Sequence, residues 1–234
     1  MFKKIGKITI KILKYFVIIF FSSSLFFTIL YRFVNPPITP LMVIRFCEQS
    51  FSKDREVRFK RHYVSINEIS SYVPNAAIAS EDNRFMQHSG FDYEEIKKAR
   101  EEAQKGGRKR GASTISQQCA KNVFLYPKHS WIRKGLEVYF TFLIETFWSK
   151  ERIMEVYLNV IEYGDGIYGV EAASQYYFNK SAQKLSKYES ALIVACFPNP
   201  FRWNPATPTQ YITKRASQIS YLMDCIGNVN FNDK

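Results

Sequence analysis

Apolar and polar positions follow one another at helical spacing along most of this chain. From Tyr15 to Tyr31 no residue is charged. With Ile12, Leu13, Phe33 and Val34 at its flanks, the apolar run reaches the roughly 20 residues that cross a bilayer. This predicts a transmembrane helix over 15–34, behind a basic tail over 1–14 and ended by Asn35-Pro36-Pro37. Residues 35–64 mix Pro36, Pro37 and Pro40 with the cations Arg55, Arg58, Lys60 and Arg61. They read as a stiff juxtamembrane linker whose charges face lipid headgroups or water. Residues 65–230 then predict one all-α domain.

Within that domain the small apolar run Ala76 to Ala79 leads straight into Glu81 and Asp82. On a helix Glu81, Phe85 and His88 share a face at i, i+4 and i+7, and Gly90 is placed to end it. Tyr93 to Gln104 is a polar, amphipathic helix, and Lys105 to Arg110 a mobile cationic loop. Thr114 and Gln117 form a capping-box pattern, so a helix starts there. Thr114, Gln118 and Lys121 line one face of it, and Ile115, Cys119 and Val123 the other. Ser130 opens the next helix, with Leu136, Phe140, Leu143, Ile144 and Phe147 at helical spacing. Further helices cover Lys150 to Ile161, Val170 to Phe178, the apolar stretch Ala191 to Phe197 capped by Ser186 and Glu189, and Thr207-Pro208 to Gly227. Gly164 to Gly169 reads as a tight loop, and no strand pattern stands out between 60 and 227.

Charge sets the orientation of the membrane segment. The 234 residues carry a net charge of +12, and Lys3, Lys4, Lys7, Lys11 and Lys14 precede the apolar run with no acid among residues 1–14. The positive-inside rule puts the N-terminus in the cytoplasm and the remaining chain outside. A signal peptide is the competing reading, but no small-x-small cleavage site follows the run. A basic surplus suits nucleic acid, an anionic membrane or a phosphorylated substrate, and nucleic acid leaves the membrane segment without a purpose. The four cysteines, Cys47, Cys119, Cys196 and Cys225, show no metal-ligand spacing. Cys119 and Cys196 fall in apolar helical patterns that favour free, buried thiols.

The candidate chemistry lies in the polar residues that interrupt apolar faces. Glu81 and Asp82 are delivered directly off buried structure, although acids in the last turn of an amphipathic helix more often face water. The helix opening at Thr114 offers an anion a hydroxyl, amides and Lys121 beside a positive helix end. A merely solvated face would carry Glu and Lys pairs instead. Glu137 stands four residues from Arg133, and an exposed pair of that kind contributes only a few tenths of a kcal/mol. Two carboxylates, an anion-suited helix start, no metal cluster and no nucleotide loop point to sugar chemistry on an anionic, lipid-linked substrate.

Four ordered blocks carry a family resemblance: Glu81-Asp-x-x-Phe-x-x-His-x-Gly-x-Asp92, Gly111-x-Ser-Thr-Ile-x-Gln-Gln-x-x-Lys-Asn122, Arg133-Lys-x-x-Glu137 and Lys150-x-x-Ile-x-Glu-x-Tyr-Leu-Asn159. In order and spacing they resemble the peptidoglycan glycosyltransferases of family 51, in the stand-alone form, over about residues 65 to 205. That resemblance implies a lysozyme-like all-α fold and polymerisation of lipid II into β-1,4-linked glycan strands, with inversion and release of undecaprenyl pyrophosphate. It implies Glu81 as general base and Glu137 as the second catalytic glutamate. It gives substrate contacts or support to Asp82, Phe85, His88, Ser113, Thr114, Gln117, Gln118, Lys121, Asn122, Arg133, Lys134, Lys150, Arg152, Glu155 and Asn159. No cofactor is required; Asp82 is the residue it offers to a divalent cation, magnesium or manganese. The implied partners are lipid II, the growing strand, the cytoplasmic membrane crossed once, and other cell-wall synthases, with no nucleic acid.

Two Ser-x-x-Lys sequences, Ser50 to Lys53 and Ser181 to Lys184, lack a following Lys-Thr-Gly and read as coincidence. A membrane-anchored lysozyme-like hydrolase would share the fold and a lone acid but has little use for the Thr-Gln-Gln-Lys helix. A silent scaffold of a wall-building complex would need neither glutamate.

Overall fold

A long apolar stretch satisfies its backbone in lipid only by hydrogen bonding to itself. In the computed structural model, which describes residues 2–53, 56–107, 111–128 and 130–231, with side chains from residue 9 onward, helix α1 runs Phe2–Phe33. Its Thr9–Phe33 portion is long and apolar enough to cross a membrane. The hydroxyls inside it bond back to the helix: Ser23 and Ser24 donate to the carbonyls of Phe20 and Phe21, and Thr28 to that of Ser24 at 2.8 Å. These hydroxyls are therefore satisfied within their own helix. The chain divides into two compact units, residues 1–35 and 36–234.

The second unit begins earlier than the sequence led us to expect. The stretch 35–64, expected as a linker, contains helix α2 (Pro40–Ser50), capped by the Thr39 hydroxyl and started by Pro40 at its first position. Leu41 and Met42 are buried. Gln49, also buried, donates to Asp165 Oδ1 at 2.7 Å and accepts from the Arg58 N–H at 2.9 Å. Nor are the cations of this stretch simply solvated: Arg61 donates to the carbonyls of Pro36 and Pro37, and Arg58 and Lys60 lie over the Tyr176 ring. Arg55 is outside the described residues, as is the Arg108–Arg110 end of the expected cationic loop.

The domain is helical as expected, and the absence of strands between 60 and 227 is the one reading to amend. Strand β1 (Lys60–Arg61) runs parallel to β3 (Ile167–Tyr168), which is antiparallel to β2 (Glu162–Gly164), in the order β1-β3-β2. Strands of two or three residues are too short to show a period of two. The expected tight loop at 164–169 is the turn of this hairpin. Gly166, at φ +70°, passes so close to the segment leading into β1 that a Cβ there would fall 2.0 Å from the Arg58 carbonyl oxygen.

Helices make up nearly all the rest. Helix α3 (Tyr72–Glu81) packs against α9 (Lys187–Ala195) and α10 (Gln210–Ile226). Val73 to Ala79 are all buried, so α3 has no polar face and sits inside the domain. Helix α5 (Ile115–Phe124) lies against α6 (Trp131–Phe147) and α7 (Lys150–Val160). Its Ile115, Cys119 and Val123 stripe is buried, as the pattern predicts. Helices α4 (Tyr93–Gln104) and α8 (Val170–Phe178) take the expected bounds. All four cysteines are free, Cys119 and Cys196 buried. Burial pushes the Cys196 thiol up to about 12 and that of Cys119 higher still, which leaves both as unreactive packing residues.

Candidate active site

Helix α3 does not continue to His88. It ends at Glu81, and Asp82 leaves helical geometry at φ −164°. The reason is a stronger use for the Asp82 carboxylate: Oδ2 accepts the Ile115 N–H at 3.0 Å, tying the free N-terminus of α5 to the end of α3. His88 Nε2 lies 2.9 Å from Asp82 Oδ1, and its Nδ1 accepts the Gly90 N–H at 3.2 Å. That bond leaves the ring hydrogen on Nε2, directed at Asp82. Gly90 at φ +90° presses on α6, where a Cβ would lie 2.9 Å from Thr141 Cγ2. Thr114 closes the loop by donating to the Gly90 carbonyl at 2.7 Å while Gln117 completes its capping box. The turn drives Phe85 wholly into the core. Glu81, Phe85 and His88 therefore do not share one helical face, because α3 ends before Phe85 and His88. Both Asp82 oxygens are taken, and among the described residues no three His, Cys, Asp or Glu side chains converge as a metal site.

Ending α3 at Glu81 places that carboxylate in an open cleft of about 240 Å³, walled by Ser80 to Asn83, Asp92, Glu95 and Gly111 to Thr114. Glu81 Oε1 accepts from Ser80 Oγ at 3.1 Å. Its Oε2 accepts from Gln118 Nε2 at 3.1 Å, and Tyr157 fixes that amide by donating to Gln118 Oε1 at 3.1 Å. Arg215 on α10, a residue that nothing in the sequence pattern singles out, brings Nη2 to 3.8 Å from Glu81 Oε1.

A second cleft of about 270 Å³ adjoins the first at Ser113, which belongs to both walls. It is lined by Gln117, Gln118, Lys121, Arg133, Lys134 and Glu137. Glu137 is buried and has one oxygen on Arg133 Nη1 at 2.7 Å and the other on Lys134 Nζ. The pair is therefore not the exposed helix-surface contact considered above; Glu137 clamps two cations that face the cleft. Desolvation lowers the Lys121 ammonium from the ordinary lysine range, opposed by Glu137 and Glu81 and reinforced by Arg133 and Lys134. Three cations around one small cleft make a binding place for a polyanion.

The fourth block does something else. Lys150 is buried, donates to Glu145 Oε1 at 2.7 Å and sits over the Phe85 ring. Arg152 and Glu155 join each other and the Tyr63 hydroxyl, and Glu155 Oε2 accepts the Ile66 N–H at 2.8 Å. Asn159, fully buried, holds Val64 by both its N–H and its carbonyl, at 3.0 and 2.9 Å. These four residues are absent from the walls of both clefts. They brace the segment 63–66 and the core, a task that polar residues on one helix face do not announce. Asn122 faces a third cleft of about 380 Å³, whose wall includes Arg45, Tyr126, Glu162, Asn199 and Phe201 and which shares Gln118 and Lys121 with the second.

Comparison with known proteins identifies the family. Residues 48–224 match the family described as Transglycosylase. A protein of Bacteroides thetaiotaomicron named biosynthetic peptidoglycan transglycosylase is 57% identical over 92% of this chain and 88% of its own length. Proteins of the same name from Bdellovibrio bacteriovorus and Caulobacter vibrioides are each 52% identical, covering 87% and 82% of this chain and 81% and 80% of theirs.

Proposed function

This chain belongs to the transglycosylase family, and we propose that it is a peptidoglycan glycosyltransferase that polymerises lipid II during bacterial cell-wall synthesis, with Glu81 as its general base. The observation that carries this reading is the pairing of clefts: a hydrogen-bonded carboxylate in one, Lys121, Arg133 and Lys134 in the next, and Ser113 in the wall of both.

Single displacement at an anomeric carbon needs a base on the attacking side and charge stabilisation on the leaving side. The acceptor's sugar 4-hydroxyl attacks the donor's anomeric carbon and gives its proton to Glu81. The bond to the pyrophosphate breaks with inversion, and undecaprenyl pyrophosphate departs with its charge met by Lys121, Arg133 and Lys134. A pyrophosphate leaves without protonation, so cations take the place of the acid a glycosidase requires. Glu137, with an oxygen on each of two cations, orients them for that task. Helix α1 anchors the chain in the cytoplasmic membrane, with its lysine-rich start inside and the catalytic unit outside.

The test is incubation of the purified protein with labelled lipid II, followed by digestion of the product with lysozyme. Lysozyme-sensitive polymer is expected from the parent and none from Glu81→Gln, which keeps the shape but accepts no proton. Glu137→Gln should be slowed less than Glu81→Gln. Polymer made by Glu81→Gln at near the parental rate would remove Glu81 from the role of base.

A further inference from the structure

We propose that Arg215 is a positioning residue for Glu81: together with Ser80 it fixes this carboxylate toward the cleft. The inference rests on Glu81 being the base. Its starting point is the crowding of acids around Glu81. The residue closes α3 at its C-terminus, where the helix dipole is negative. Asp82 follows it directly, and Asp92 and Glu95 line the same cleft. Repulsion among these groups leaves the direction of the Glu81 side chain to the donors and cations that hold it.

Among the described residues, Lys121 from α5 and Arg215 from α10 both act on this position. Tyr157 from α7 also senses the Glu81 charge. Lys121 also lines the cationic cleft and would be committed to the substrate's phosphates. Arg215 is absent from that wall. Its Nη2 lies 3.8 Å from Glu81 Oε1 and donates to Ser80 Oγ at 3.4 Å, and Ser80 Oγ donates to the same Glu81 oxygen at 3.1 Å. Arg215 Nε is buried without a hydrogen-bond partner, so the guanidinium is not locked onto a competing acceptor through that edge. Guanidinium, hydroxyl and carboxylate form a charge-assisted chain on one oxygen, while the Tyr157 and Gln118 chain holds the other. The carboxylate is thus gripped from two helices besides its own.

The test is the kinetics of lipid II polymerisation by the full-length parent, Arg215→Gln, Arg215→Lys and Ser80→Ala, with Glu81→Gln alongside and melting temperatures measured. Arg215→Gln should lower kcat about tenfold and leave KM within about twofold, the pattern of a lost positioning contact. Arg215→Lys should recover part of kcat, and Ser80→Ala should lower kcat by a smaller factor at unchanged KM. A parental kcat in Arg215→Gln would overturn the proposal. So would a raised KM at unchanged kcat, which would make Arg215 a substrate contact. Should Arg215→Gln not fold, Ser80→Ala decides, and its unchanged kcat would overturn the proposal. An active Glu81→Gln would sink the base itself; an inactive one beside a parental kcat in Arg215→Gln would sink only the role of Arg215.

Discussion

Lys121 shows how one side chain's surroundings set its working range. Burial among two other cations lowers its ammonium below the ordinary lysine range, against the pull of Glu137 and Glu81. Its charge is lost as pH rises through the lowered value. Affinity for a soluble pyrophosphate ligand should therefore decline earlier in the alkaline range than an ordinary lysine site would allow. Lys121→Arg should remove that early decline, and Lys121→Ala should weaken binding about tenfold or more, the loss of a hydrogen bond to a charged group. Titration calorimetry across pH reads all three, and equal affinity in Lys121→Ala and the parent would count against a phosphate role for α5. High salt should reproduce only part of the alanine effect, since a shielded site is screened less than a surface pair.

At the scale of elements, the segment before Tyr72 is held onto the helical body by polar clamps. Asn159 secures Val64, Glu155 secures Ile66, and Gln49 on α2 ties Arg58 to the hairpin. Asn159→Ala should cost about 2–3 kcal/mol, since it strands the Val64 N–H and carbonyl in a buried place. The expected signature is a lowered denaturation midpoint with KM for lipid II little changed; a raised KM with unchanged stability would return Asn159 to the substrate.

The Arg45–Glu162 contact, at 3.3 Å, joins α2 to β2. Burial pushes the Glu162 carboxyl up to about 6 from 4.5, with Arg45 opposing. The native state then binds this proton more tightly than the unfolded chain. Its contribution favours folding most below about 4.5 and is lost as pH rises through about 6, a change of up to about 2 kcal/mol. Glu162→Gln should flatten that part of the stability profile, measured by urea unfolding at stepped pH.

For the whole molecule, the boundary between its two units decides where the anchor can be cut. Pro36 and Pro37 accept from Arg61, and Thr39 caps α2, so a cut at residue 40 would damage the catalytic unit. Removing residues 1–35 should leave a domain that folds and polymerises lipid II in detergent at about the parental rate. In liposomes its rate should fall, because an anchor's contribution is effective concentration at the surface. An equal loss in both media would mean that α1 shapes the catalytic unit.

What the sequence determined by itself is whatever depends on neighbours a few residues apart. The apolar run of α1, the capping boxes at Thr114 and Ser186, the buried stripe of α5 and the pairing of Glu137 with Arg133 are all local patterns, and each stands where the spacing puts it. Tertiary structure decided whatever depends on distant partners. α3 stops at Glu81 because Asp82 is claimed by the Ile115 N–H, 33 residues away. Asn159 is a brace because Val64 lies against it across 95 residues, and Arg215 meets Ser80 across 135. The short strands exist only through their pairing. A helical face shows that a polar side chain is placed to make a contact; which contact it makes depends on the element that packs there.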